Sequence, residues 1–210
     1  MKVFDWTTNI DKNELNEVIK MINNDGIIIF PTETVYGIGV NAKSEKAIKK
    51  LYETKLRPKN KPFSVLVKDK KMINSLAEIS NNIEKSIIKK FMPGEITLIL
   101  NKRKCMSNLL TANKKTIGIR IPNNNIALTI LKKSKIPLAT SSANLSGEEI
   151  LNDVNSLKKV FENKVDIIIV SNCKFGLLPS TIVQVKDDKI NIIREGSITL
   201  EQIKKKIFMK

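Results

Sequence analysis

Hydroxyls, arginines and glycines are grouped in short runs along this 210-residue chain, and histidine is absent. Thr32 and Thr34 stand two residues apart in the run FPTETVYGIG, residues 30–39. In extended backbone they face the same way. Pro31 lacks an N–H and fixes φ, so it turns the chain out of the apolar run 27–30. Gly37 and Gly39 permit close backbone approach or a positive φ. The expected order is a strand, a loop of hydroxyls and glycines, then a helix, the place where open α/β sheets bind ligands. The same residues also serve as ordinary loop caps, and Glu33 between the threonines is structural or functional on this reading.

Further along, Lys55, Arg57, Lys59 and Lys61 alternate through a Pro-containing loop. Alternation in an extended loop aims several cations to one side. Arg offers phosphate a planar fork and Lys a point charge, which suits a triphosphate; a solvated basic loop is the plainer alternative. Arg120 ends the strand 116–121, opposite Ile119 and Ile121. It is either a bidentate carboxylate clamp or one half of a surface salt bridge of little worth. Residues 140–147, TSSANLSG, follow a short apolar run. Their small donors and acceptors fit adenosine and phosphate, or a capped turn.

Missing residue types narrow the chemistry. Without histidine there is no Ser-His-Asp or Cys-His nucleophile and no His-ligated metal. Cys105 and Cys173 form no C-x-x-C pair, against a zinc ribbon or a disulfide framework. Any metal would be a hard cation held by oxygens, such as Mg²⁺ with a nucleotide. The formal net charge is +16. It implies a polyanionic partner, nucleotide or RNA, or simply reflects a composition rich in Lys, Asn and Ile. The few arginines are therefore the more informative cations. Residues 1–11 contain Asp5, Asp11 and no long apolar core, unlike a signal or transit peptide. No apolar run nears the ~20 residues of a membrane span, so the expected location is the cytoplasm.

These groups need a scaffold. Leu15, Val18, Ile19 and Ile22 recur at helical spacing with Gly26 as a stop. Ser44 caps a helix carrying Ala47, Ile48 and Leu51. Ile83, Ile87, Ile88 and Phe91 mark a helix that Ser80 caps and Pro93-Gly94 ends. Helices are also expected over 125–133, 154–161 and 197–208. Strands are expected over 3–6 at an edge, 64–67, 96–100, 116–121, 136–139 and 166–170. A hairpin pairs 181–185 with 189–194 about Lys186-Asp187-Asp188. This alternation predicts one α/β domain over 1–210, a twisted mixed sheet flanked by helices.

The string P-T-E-T-V-Y-G followed by I-G, from Pro31, resembles the signature of the YrdC-like family, the threonylcarbamoyl-AMP synthases. K-x-R-P-x-x-K-P from Lys55, T-x-G-I-R-x-P from Thr116, S-A-N-x-S-G from Ser142, and the later S-T-I and R-x-G resemble its other motifs in order, over about 25–196. The resemblance implies a YrdC-like fold. It implies that L-threonine, bicarbonate and ATP give threonylcarbamoyl-AMP and pyrophosphate, with Mg²⁺ accompanying ATP. The product would pass to a tRNA threonylcarbamoyltransferase that modifies tRNA. By motif, Lys55, Arg57 and Lys61 would neutralise ATP phosphates, while Lys59 falls at a variable position. Thr116, Ser142, Asn144 and Arg194 would hold the nucleotide, and Thr32, Thr34, Arg120, Thr140 and Ser180 the threonine. Two departures stand out. Ile150 replaces a serine contact, and Leu66 lies near where some members carry histidine. The chain looks like the family's short form. The alternative is a non-catalytic double-stranded RNA or tRNA-binding protein of the same fold, with direct RNA contact. The carbamoyl-transfer domains of hydrogenase maturation proteins also resemble it, but sit in longer chains with zinc-finger cysteines.

Overall fold

The computed structural model describes residues 1–172, 176 and 178–209. Cys173 lies outside them, and Cys105 is exposed and not in a disulfide. Helices start where a short polar side chain can take the first free N–H groups. Asp11 accepts from Asn13 and Glu14 ahead of α1 (Lys12–Asn23), and Ser44 from Ala47 ahead of α2 (Glu45–Thr54). Asn81, rather than the expected Ser80, caps α4 (Asn82–Phe91), and Asn124 caps α5 (Asn125–Ser134). Asp153 does the same for α6 (Val154–Phe161), and Thr199 with Gln202 closes a capping box on α7 (Leu200–Phe208).

The strands join one mixed sheet. From edge to edge they run β1 (Lys2–Asp5), β9 (Ile167–Val170), β2 (Ile28–Pro31), β3 (Tyr36–Asn41) and β8 (Leu138–Ser142). The order continues through β4 (Ser64–Leu66), β7 (Thr116–Arg120), β6 (Ile96–Lys102), β10 (Thr181–Lys186) and β11 (Lys189–Arg194). A two-residue β5 (Ala77–Glu78) also pairs with β6. The β4–β7 and β6–β10 pairs are parallel, and the β2–β3, β3–β8, β8–β4 and β7–β6 pairs antiparallel.

Pleating sends successive side chains to opposite faces. Ile29, Ile38, Val65, Leu98, Ile117, Ile119 and Val183 pack on one face with Ile48, Leu51, Ile87, Leu157, Phe161 and Ile203 from α2, α4, α6 and α7. On the other face Phe4, Ile28, Phe30, Ile167 and Ile169 meet Leu15, Val18 and Ile22 of α1 and Ile126, Ile130 and Leu131 of α5. That second cover reaches only as far as Leu66 and Leu138. Beyond it the same face carries Thr97, Gly118, Arg120 and Ser64 instead of an apolar stripe.

Two further features differ from the sequence expectation. Gly37 and Gly39 lie inside β3, which pairs antiparallel with β2, so the hydroxyl run is a hairpin loop and not a strand-to-helix connection. Glycine here answers close packing: a Cβ on Gly39 would sit 2.7 Å from Thr140 Cγ2 and 3.1 Å from Phe30 Cε1. The short α3 (Lys70–Leu76) was not visible as a stripe, because it buries only Ile73 and Leu76 and depends on the Asp69 cap. The expected β10–β11 hairpin is present, with Asp187 and Asp188 both at positive φ, 50° and 55°, as a two-residue primed turn requires.

Candidate active site

The uncovered half of the sheet face encloses a cavity of about 150 Å³. Its wall brings together Thr32, Thr34, Arg57, Arg120, Thr140, Ser142, Ser180 and Arg194, which the sequence scatters over more than 160 positions. Strand registry does this. Ser64 lies opposite both Gly118 and Thr140, Leu66 opposite Arg120, and Ser142 opposite Gly37.

The hairpin loop fixes its own hydroxyls. Thr32 Oγ1 donates to the Val35 carbonyl at 2.6 Å and accepts from the Thr34 and Val35 N–H groups. Its single proton is thus committed, so in the 3.0 Å contact between the hydroxyls Thr34 is the donor. Thr34 Oγ1 then accepts from both terminal nitrogens of Arg120, at 3.2 and 3.1 Å. Arg120 Nε donates to the Gly94 carbonyl at 2.9 Å, and Nη2 pairs with Glu33 Oε1 at 2.9 Å. Glu33 Oε1 also accepts from the Asn123 N–H, while its Oε2 is buried without a partner among the described residues. Arg120 is therefore neither a surface ion pair nor a fully open fork. It is a buried cation, already partly neutralised, with one Nη1 N–H uncommitted among the described residues.

Arg57 donates to the carbonyls of Lys61 (3.0 Å) and Pro62 (2.8 Å) and lies 4.8 Å over the Phe63 ring. Arg194 donates to the Ser180 carbonyl and hydroxyl at 2.5 and 3.2 Å, and Ser180 Oγ lies 2.9 Å from Thr97 Oγ1. Burial holds both arginines below their ordinary pKa. For Arg194 the charges of Arg120 and Arg57 add to the effect, as they must when three guanidiniums ring one hollow.

The remaining expected residues lie outside the cavity wall. Lys55 is 1% exposed, and its Nζ donates to the Ser142 carbonyl at 2.7 Å and to the Asn144 carbonyl. The reason is local. At the end of α2 Leu56 adopts a left-handed φ of 49°, which turns Arg57 toward the cavity and leaves Lys55 behind it. Burial first, and the Arg57 charge second, push the Lys55 pKa down to about 7. Asn144 is buried and accepts from Ser142 Oγ at 2.6 Å while donating to the Leu145 and Glu148 carbonyls. Lys61 is exposed. Thr116 is on the Arg120 face but four residues down β7, about 13 Å away at ordinary strand rise.

Ser64, Thr97 and Ser141 also line the cavity and were not foreseen. Their signal was present: Thr97 and Ser64 are polar interruptions inside apolar runs, on the face where strand alternation places Arg120. Leu66, flagged as a departure, lines the wall as well. No cluster of three metal-ligating side chains exists among the described residues.

Arg120 and Arg194 from the sheet and Arg57 from the loop after α2 turn into one hollow among hydroxyls, an arrangement whose chemistry suits a small anionic ligand. The comparisons make the class specific. The family described as telomere recombination, Sua5/YciO/YrdC, matches residues 20–196, and the chain belongs to that family. It is 33% identical to the threonylcarbamoyl-AMP synthase of Bacillus subtilis over 95% of this chain and 58% of that protein. A Methanocaldococcus jannaschii relative, whose name carries the same activity provisionally, is 41% identical over 97% of this chain and 95% of its own length. The structure of Pyrococcus abyssi Sua5 complexed with L-threonine superposes with a TM-score of 0.93 at 28% identity, over 99% of this chain and 61% of that one. Escherichia coli YciO matches with a TM-score of 0.85 at 25% identity, over 96% and 98%.

Proposed function

We propose that the cavity is the active site of a threonylcarbamoyl-AMP synthase, converting L-threonine, bicarbonate and ATP to threonylcarbamoyl-AMP and pyrophosphate. The observation that carries this reading is the convergence of Arg57, Arg120 and Arg194 with Thr34, Thr140, Ser142 and Ser180 on one hollow. The supporting relatives are those named for this activity.

Threonine sits at the Arg120 end, its carboxylate on the uncommitted Arg120 N–H, its amine and hydroxyl among Thr32, Thr34, Thr140 and Ser180. The enclosed volume holds an amino acid and the reacting phosphate. The nucleoside extends along the open sheet floor toward Thr116. The threonine amine and bicarbonate give a carbamate with loss of water, and a carbamate oxygen then attacks the α-phosphorus as the bond to pyrophosphate breaks. Arg57 and Arg194 offset the charge on the phosphate oxygens, so catalysis is positioning plus electrostatics. The chemistry needs no nucleophile from the protein, consistent with a chain without histidine. Lys55 and Asn144 act from behind by fixing the wall that presents Ser142; Lys61 reaches the phosphates only from the exposed rim. No cluster of side chains among the described residues makes a dedicated Mg²⁺ site, so a Mg²⁺ ion would be held by phosphate oxygens and water and enter with ATP. The product serves a tRNA threonylcarbamoyltransferase in the cytoplasm; no helix among the described residues is long and apolar enough to cross a membrane. The RNA-binding alternative has less support, because the arginines turn inward to a hollow too small for a duplex.

The test is incubation of the purified protein with ATP, threonine and labelled bicarbonate. Threonine-dependent pyrophosphate release is expected, with label in a nucleotide product. Pyrophosphate release that ignores threonine, or none, ends the synthase reading.

A further inference from the structure

Next to the Arg120 strand end lies a second groove, of about 490 Å³, that the proposed chemistry does not use. Its floor is apolar: Ile88, Met92, Pro93 and Ile121. Its rim is cationic: Lys68, Lys70, Lys85 and Lys89. The carboxylate present, Asp69, is engaged as the α3 cap at 2.7 Å from the Met72 N–H and lies 3.9 Å from Lys68. Lys70 and Lys89 have no ion-pair partner among the described residues.

We propose that this groove docks an acidic protein segment carrying one bulky apolar residue between its carboxylates. Charge and floor together select that occupant. A second copy of this chain is disfavoured by its net charge of +16. Nucleic acid would use the lysines but not the floor: the groove contains no arginine to fork a phosphate and no aromatic ring to stack a base. A carboxylate-flanked Leu or Phe uses both, covering Ile88 and Met92 while it neutralises the rim. The groove also shares backbone with the cavity. Gly94 N–H donates to the Ile121 carbonyl at 2.9 Å, and the Gly94 carbonyl accepts from Arg120 Nε at 2.9 Å. A docked segment thus presses on the frame that holds Arg120. The proposal stands independently of which reaction the cavity performs.

The full chain, immobilised, is used to select from a displayed random-peptide library, and selected peptides are then synthesised and titrated. Enrichment of Leu, Phe or Trp flanked by Asp or Glu is expected. Affinity should fall at least tenfold in the Lys85→Glu/Lys89→Glu variant, both positions being exposed on α4. The melting temperature should be unchanged, and affinity should be nearly retained in Lys204→Glu/Lys205→Glu on α7, which changes net charge equally. The proposal is overturned if no such motif is enriched, or if both variants weaken the peptides alike. It is overturned too if the α4 variant abolishes binding of a duplex RNA oligonucleotide while peptides bind unchanged.

Discussion

Two halves of one sheet face meet opposite fates. Where β9, β2 and β1 run, Phe4, Ile28, Phe30, Ile167 and Ile169 draw α1 and α5 onto the face and seal it. Across β8, on β4, β7 and β6, the same pleat presents Ser64, Gly118, Arg120 and Thr97, and helix cover stops. The backbone is the same kind of ladder in both. The difference lies in the residues on alternate positions: a helix docks where burial of each large aliphatic group contributes about 1.5–3 kcal/mol. It does not dock where it would strip water from hydroxyls and guanidiniums. The site is what remains when a sheet is closed over half its length.

Substitutions can break that contrast. The largest effect is expected for Arg120→Ala. Removing one partner of a buried pair should cost about 3–5 kcal/mol of stability, read by urea unfolding, and abolish threonine-dependent turnover. Adding Glu33→Gln should restore most of the stability and none of the turnover, separating the two roles of one side chain. On the sealed half, Ile130→Ala should cost about 2–5 kcal/mol by cavity formation while leaving the KM for threonine unchanged; a shifted KM would show the halves to be coupled. Thr34→Val should be milder, about 1–3 kcal/mol for an orphaned buried group. It should appear mainly as a raised KM for threonine.

A pH dependence of stability is expected as well. The folded-state pKa of Lys55, about 7, lies below its unfolded value of 10.5. Between those values the unfolded chain binds the extra proton, so stability should rise with pH from about 7 to about 10.5 and stay flat below. Denaturation of Lys55→Met across that range should lack the rise; identical slopes would remove Lys55 as its source.

Much of this was legible from local pattern. The α6 stripe of Leu157 and Phe161, the turn at Asp187-Asp188 and the motif-bearing strand ends are set by nearest neighbours and periodicity. Pairing is not local. Nothing near Glu33 announces that its partner is Arg120, nor does the basic loop reveal that a left-handed Leu56 sends Lys55 to the Ser142 and Asn144 carbonyls while Arg57 faces the cavity. Gly37 and Gly39 were legible as unusual but not as strand residues, because the crowding by Phe30 and Thr140 exists only once β2, β3 and β8 are side by side. Thr97 and Ser64 were hidden within apolar runs, where one polar residue reads as noise until the face it points from is known.

The alternation along β7 carries one more implication. Ile119 fills the core on the opposite face, under α2, α4, α6 and α7, and its neighbour Arg120 the cavity, so adding or deleting a single residue upstream in that strand would exchange the two, placing a guanidinium in oil and an isoleucine among the hydroxyls. Length changes in this protein can therefore be accommodated in its connections, or in the central strands only two residues at a time.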